Sequence, residues 1–107
     1  MATSLGDRYA VMLDGVTTTT TKTAVCGAGR ALGFIAKVAG TGAVTATVVI
    51  RGGFDGTTFV DVATFSLSGT DSVVEGLVET NWCWSQVQVA LTAVSGTGAA
   101  VTVQMGG

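Results

Sequence analysis

The chain has no histidine and no proline among its 107 residues, only two cysteines, and only 11% charged residues. Each shortage excludes something. Without histidine, the usual general base and the commonest metal ligand are both missing. A serine nucleophile would then need a lysine partner, and neither Lys22 nor Lys37 lies in a motif that offers one. Cys26 and Cys83 cannot build a zinc site by themselves. In a reducing compartment they are expected as buried free thiols, with a disulfide between them as the alternative. The five basic residues, Arg8, Lys22, Arg30, Lys37 and Arg51, are scattered in a chain of net charge −2. Phosphate neutralisation needs clustered cations, so direct nucleic-acid binding is not expected. No apolar run approaches the roughly 20 residues that span a bilayer. Met1 to Arg8 shows no basic region followed by an apolar one, so no secretory signal is read there and synthesis in a cytoplasm is expected. The expectation is a protein that is not an enzyme and has no cofactor, no catalytic residue and no bound metal.

What is abundant is equally directive. Threonine occurs eighteen times, valine seventeen and glycine sixteen. β-branched side chains fit a pleated, half-buried surface and glycines serve the turns between strands. No segment of ten residues keeps a helical period, so the chain reads as all-β. Its length suits one domain, 1–107, with residues 1–23 read as an extended N-terminal arm or edge strand. Seven to eight short strands separated by turns predict a single antiparallel β-sandwich, jelly-roll or immunoglobulin-like.

The clearest pattern is Gln86 to Met105. Val87, Val89, Leu91 and Ala93 alternate with polar or small residues, Ser95-Gly96-Thr97-Gly98 follows, and Val101, Val103 and Met105 alternate again. A similar pattern precedes it: Leu32, Phe34, Ala36 and Val38, then Ala39-Gly40-Thr41-Gly42, then Val44, Ala46, Val48 and Ile50. Gly40-Thr41-Gly42-Ala43 recurs as Gly96-Thr97-Gly98-Ala99. Alternation on both sides of a Gly-rich loop predicts two related β-hairpins. Elsewhere, Tyr9 to Leu13 reads as a first strand ended by Asp14-Gly15. Arg51 to Thr57 reads as a turn with Asp55-Gly56 at its tip. Phe59 to Leu67 reads as a strand whose apolar row is interrupted by Asp61, and Val73 to Glu79 as a weaker strand or loop.

Several residues are candidates for contact with other molecules. Carried back from the last hairpin, the alternation puts Trp82 and Trp84 beside Gln86 and Gln88 on the polar face. Exposed neighbouring tryptophans suit a protein interface or a sugar-stacking platform, and the bland alternative is a bulge near Cys83 that turns at least one of them inward. The run Thr17, Thr18, Thr19, Thr20, Thr21 buries little and reads as an exposed edge, or as a strand that adds to a neighbouring subunit's sheet. Asp55 with Asp61, and Asp71 with Glu75 and Glu79, are carboxylate groupings best read as solvated loops rather than glycosidase acids or calcium ligands. Gly27-Ala28-Gly29-Arg30-Ala31-Leu32-Gly33 precedes a strand, so it lacks the helix N-terminus of a phosphate loop.

Arg51-Gly-Gly-Phe-Asp-Gly-Thr-Thr-Phe59, Thr64-Phe-Ser-Leu-Ser-Gly-Thr70 and Val87-Gln-Val-Ala-Leu-Thr-Ala-Val-Ser-Gly-Thr-Gly-Ala99 together resemble small virion proteins of tailed bacteriophages, over about half the chain. The resemblance implies a structural role on a virion after synthesis in the host cytoplasm: capsid decoration or cement as a homo-oligomer, or a head-fibre or tail-associated module. Its partners would be further copies of itself and the major capsid protein or other virion proteins, with no direct nucleic acid and no membrane. A glycan is the partner under the competing reading, a carbohydrate-binding module in which Trp82 and Trp84 stack on sugar and Asp55 or Asn81 accepts hydroxyl hydrogen bonds.

Overall fold

β-branched residues and glycine dominate to the end of the chain, and every regular element of the computed structural model is a strand. It describes residues 9–25 and 30–106. The strands are β1 (Tyr9–Val16), β2 (Thr20–Val25), β3 (Arg30–Gly53), β4 (Phe59–Trp82) and β5 (Gln86–Gly106). All pairings are antiparallel, in the order β1-β5-β3-β4, with β2 also paired to β5.

Three of these strands are too long to stay flat, and each bends at the same level. The β3/β4 ladder breaks between Ala39 and Ala43, and the β3/β5 ladder between Ala39 and Thr45. The bends divide each long strand into two limbs. Limbs 30–39, 72–82 and 99–106 lie with β1, while limbs 43–53, 59–70 and 86–95 lie with β2. With β1 and β2 this makes eight straight segments in two layers, ordered 1-8-3-6 and 2-7-4-5. That is the jelly-roll order of a β-sandwich, rather than the immunoglobulin-like one. The molecule is 19 Å through its thin dimension, as two stacked sheets require.

Alternation fills the space between the layers. Leu32, Phe34, Ala36 and Val38 on one limb of β3 and Val44, Ala46, Val48 and Ile50 on the other are buried in one cluster. Val87, Val89, Leu91, Ala99, Val101, Val103 and Met105 of β5 join them. Ala93 does not, because a register shift between Thr47 and Val48 gives β5 an extra residue there. Met12 and Leu13 enter the core from β1. From Tyr9 onward the N-terminal stretch is therefore an edge strand of the sandwich, the second of the two expected forms, while Met1 to Arg8 lie outside the described residues.

Two predicted hairpins are not hairpins. Gly40-Thr41-Gly42-Ala43 and Gly96-Thr97-Gly98-Ala99 are the bends of β3 and β5, and they face each other, with Thr41 paired to Thr97. A side chain at Gly40 would come within 2.8 Å of the Thr97 carbonyl, and one at Gly96 within 2.8 Å of the Ala43 carbonyl. The repeat thus marks two backbones that cross closely at one corner. Gly42, Gly96 and Gly98 have φ of 73°, 126° and 66° there, and β4 turns the same corner at Asp71 with φ of 64°. Asp71 holds its neighbour directly: the Gly42 N–H donates to its Oδ1 at 2.8 Å. Ser68 to Asp71 accordingly end one limb of β4, as expected, and Val73 to Glu79 lie in its second limb, which continues the same strand.

Candidate functional site

The β3–β4 turn gathers the functional groups at one end of the sandwich. Arg51, Gly52 and Gly53 end β3, Phe54 to Thr58 form the turn, and Phe59 opens β4. Non-local pairing lays the start of β5 beside them, with Gly52 opposite Val87, Arg51 opposite Gln88 and Gly53 opposite Gln86.

Trp84 is half-buried in the link between β4 and β5, and its indole packs so closely on Gly52 that an added Cβ would come within 2.4 Å of its Cγ and Cδ1. Phe54, 62% exposed, leans on Trp84 with ring centroids 5.2 Å apart and planes tilted by 41°. The pair makes a firm aromatic ledge with one open side. Behind Phe54, Asp55 clasps the turn: its Oδ1 accepts from the Thr57 N–H at 2.9 Å and the Thr58 N–H at 2.7 Å. The Thr58 and then the Thr57 backbone donors stabilise the carboxylate and lower its pKa from 3.8 to about 2. Gly56, at φ of 83°, closes the turn against the Gln86 amide. The Gln86 Oε1 is buried and has no hydrogen-bond partner.

A polar row continues from this end across all four strands of the layer. Arg51 Nε donates to Asp61 Oδ1 at 2.9 Å, Arg51 Nη1 to Gln88 Oε1 at 2.9 Å, and Gln88 Nε2 to Thr23 Oγ1 at 3.3 Å. The Arg51–Asp61 ion pair is solvent-facing on the Asp61 side, so its value lies in holding positions more than in stability. Beside the row, Val49 and Ala90 face outward yet are buried and stand outside the core cluster. They form a low floor flanked by the polar side chains.

The expected tryptophan platform is half present. Trp82 is 1% exposed and packs on Phe34, centroids 5.9 Å apart. It ends β4 pointing inward, and residues 83–85 leave the strand, so the alternation of β5 does not carry back across them. Trp82 is therefore a core residue, and the inward-turned alternative holds for it. Gln86 and Gln88 are on the outer face beside the ledge and in the polar row. The threonine run is not one element: Thr17 to Thr19 link the two layers, while Thr20 and Thr21 open β2, an edge strand. Cys83 is a free thiol and is exposed rather than buried, and Cys26 lies outside the described residues. Gly27 to Gly29 do as well. Asp61 is bound to Arg51 and Asp71 is placed at the corner, and no group of three or more metal-ligating side chains occurs among the described residues. Nothing in the sequence pattern beyond the Gly-Gly-Phe-Asp-Gly turn itself marks Phe54 or Arg51 as a site residue, and the proximity of that turn to Trp84 depends on β3–β5 pairing.

No family model and no curated protein matches the chain. Solved structures do match by fold. The SPBc2 prophage-derived protein YomS superposes with a TM-score of 0.60 at 13% identity, over 92% of this chain and 89% of that one. A CBM4 carbohydrate-binding structure superposes with a TM-score of 0.53 at 12% identity, over 92% of this chain. The chain spans 65% of that CBM4 structure, just under two thirds. At such identities the likeness is one of fold, and the fold is the all-β sandwich described above.

Proposed function

We propose that this chain is a non-enzymatic carbohydrate-binding module that takes the apolar face of a sugar ring against Phe54 and Trp84. Hydroxyl groups of the same sugar reach the polar side chains around the ledge. The observation that carries this reading is the exposed Phe54 ring, fixed at 5.2 Å from Trp84 and flanked by polar groups. A pyranose has the same mixed character, with C–H groups on its face and hydroxyls at its rim. Fold likeness to a CBM4 structure supports the scaffold of this reading. Arg51 is neutralised by Asp61, which favours neutral over acidic glycans.

Affinity electrophoresis and calorimetry against a panel of neutral polysaccharides test it. Phe54→Ala is expected to weaken binding at least tenfold, about 1.4 kcal/mol, with an unchanged melting temperature because the ring is largely exposed. No retardation by any glycan, or equal retardation of the variant, sinks the reading.

A second reading has its own support in the superposition on the prophage-derived YomS, which covers 89% of that protein. Here the chain is a bacteriophage virion structural protein that binds the shell or tail. β2, paired among the described residues to β5 alone, presents Thr21 and Thr23 on an edge open to strand addition by a neighbour. The two readings combine if the module sits on a tail or fibre. Co-sedimentation with expanded capsids and immunogold labelling of particles separate them: pelleting with empty shells supports decoration, and label confined to tails supports adhesion.

A further inference from the structure

The opposite outer face, formed by β1, limb 99–106 of β5, limb 30–39 of β3 and limb 72–82 of β4, has a different character. Its outward rows run Val78–Gly33–Gly106, then Gly76–Ile35–Gln104–Val11, then Val74–Lys37–Thr102. Val11, Ile35, Val74 and Val78 are 43 to 63% exposed. Between the first two rows lies an open groove of about 490 Å³ lined by Gly33, Ile35, Gly76, Val78, Gln104 and Gly106, among others.

Gly33 and Gly76 of this groove are not explained by the chain that contains them. At Gly40, Gly52, Gly53, Gly69 and Gly96 an added Cβ would collide with atoms of the same molecule. At Gly33 the nearest atom would lie 3.7 Å away and at Gly76 3.4 Å, ordinary contact distances, and neither has a positive φ. Glycine within a strand costs roughly 0.5–1 kcal/mol relative to alanine, and it marks places where another backbone or ligand approaches closely. Nothing among the described residues of this chain requires glycine at these two positions.

We infer that this face binds a second copy of the chain about a two-fold axis, with Ile35 and Val78 of each copy seated over Gly33 and Gly76 of the other. The face carries both the ridges and the hollows, which an isologous contact needs. Lys37 is the one ionisable side chain on the three rows, so pairing brings few charges together. Four strands about 4.8 Å apart and about eight residues long give roughly 500 Å² per face in projection, so a pair buries on the order of 1,000 Å², enough for a specific interface. A glycan is a poor occupant, because its hydroxyls would meet little beyond Gln104. The inference stands apart from the carbohydrate reading, since its test contains no sugar.

Sedimentation equilibrium of the full chain over a micromolar series is the experiment, with Gly76→Val, Val78→Glu and, as a control on the other layer, Val60→Glu. The wild type and Val60→Glu are expected as dimers. Gly76→Val should raise the dimer dissociation constant at least tenfold without lowering the melting temperature measured on dilute monomer, because the added Cβ meets its own chain only at ordinary contact distances, 3.4 Å from the Phe34 carbonyl oxygen and 3.9 Å from Ile35 Cγ1. Val78→Glu should act in the same direction. A wild type that stays monomeric at 100 µM, a heterologous higher oligomer, or a Gly76→Val variant that dimerises like the wild type each overturns the proposal.

Discussion

Two tryptophans two residues apart have opposite fates, and the residues they meet decide it. Trp82 closes the core on Phe34, whereas Trp84 lies on the bare backbone of Gly52 and supports Phe54. Gly52→Ala is therefore expected to lift Trp84 off its seat. It should cost about 1–3 kcal/mol as an overpacked contact, seen in urea denaturation, and weaken any glycan binding in parallel with Phe54→Ala. If stability and Trp84 fluorescence are both unchanged, the ledge does not depend on Gly52. Asp55 gives a pH-dependent counterpart. Its folded pKa, about 2, is below its ordinary 3.8, so the turn's contribution is fully present above roughly pH 4 and is lost as pH falls toward 2. Asp55→Asn keeps an acceptor for the Thr57 and Thr58 amides but cannot titrate. Its melting temperature is expected to fall less between about pH 4 and pH 2 than that of the wild type.

At the scale of elements, the shared corner of β3, β4 and β5 does the work that separate turns would otherwise do. Each strand crosses from one layer to the other there, and each uses a left-handed residue to do so. Gly96 combines a φ of 126° with a carbonyl 2.8 Å from where its Cβ would be, while Gly42 has a left-handed φ and open space. Gly96→Ala is expected to destabilise clearly more than Gly42→Ala, for which about 1 kcal/mol is the conformational cost alone. Chemical denaturation of the two variants side by side checks this. Equal losses would mean that the close crossing of β3 and β5 adds nothing.

At the scale of the whole molecule, the sandwich presents two unlike outer faces. One layer carries a polar row from Asp61 to Thr23 and the aromatic ledge, and the other carries valines, an isoleucine and unexplained glycines. Pairing through the second face would leave the ledges of both copies free, so one dimer would offer two sites to a polymeric ligand.

The sequence by itself determined the all-β class, the single-sandwich architecture and most of the core. Those follow from period-two alternation, which is local: Val87, Val89, Val101 and Val103 face inward because their neighbours in the chain do not. It also marked Asp55-Gly56 as a turn, since that chemistry acts within four residues. Only the tertiary structure decided whether Gly40-Thr41-Gly42 and Gly96-Thr97-Gly98 reverse their strands or bend them. A hairpin tip and a layer-crossing corner call for the same residues and the same flanking alternation. The choice depends on pairings such as Thr41 with Thr97 and Phe34 with Met105, which join residues far apart in the chain. The same non-local pairing placed Trp84 on Gly52 and set the jelly-roll order, because alternation specifies which way a side chain faces and not which strand lies beside it.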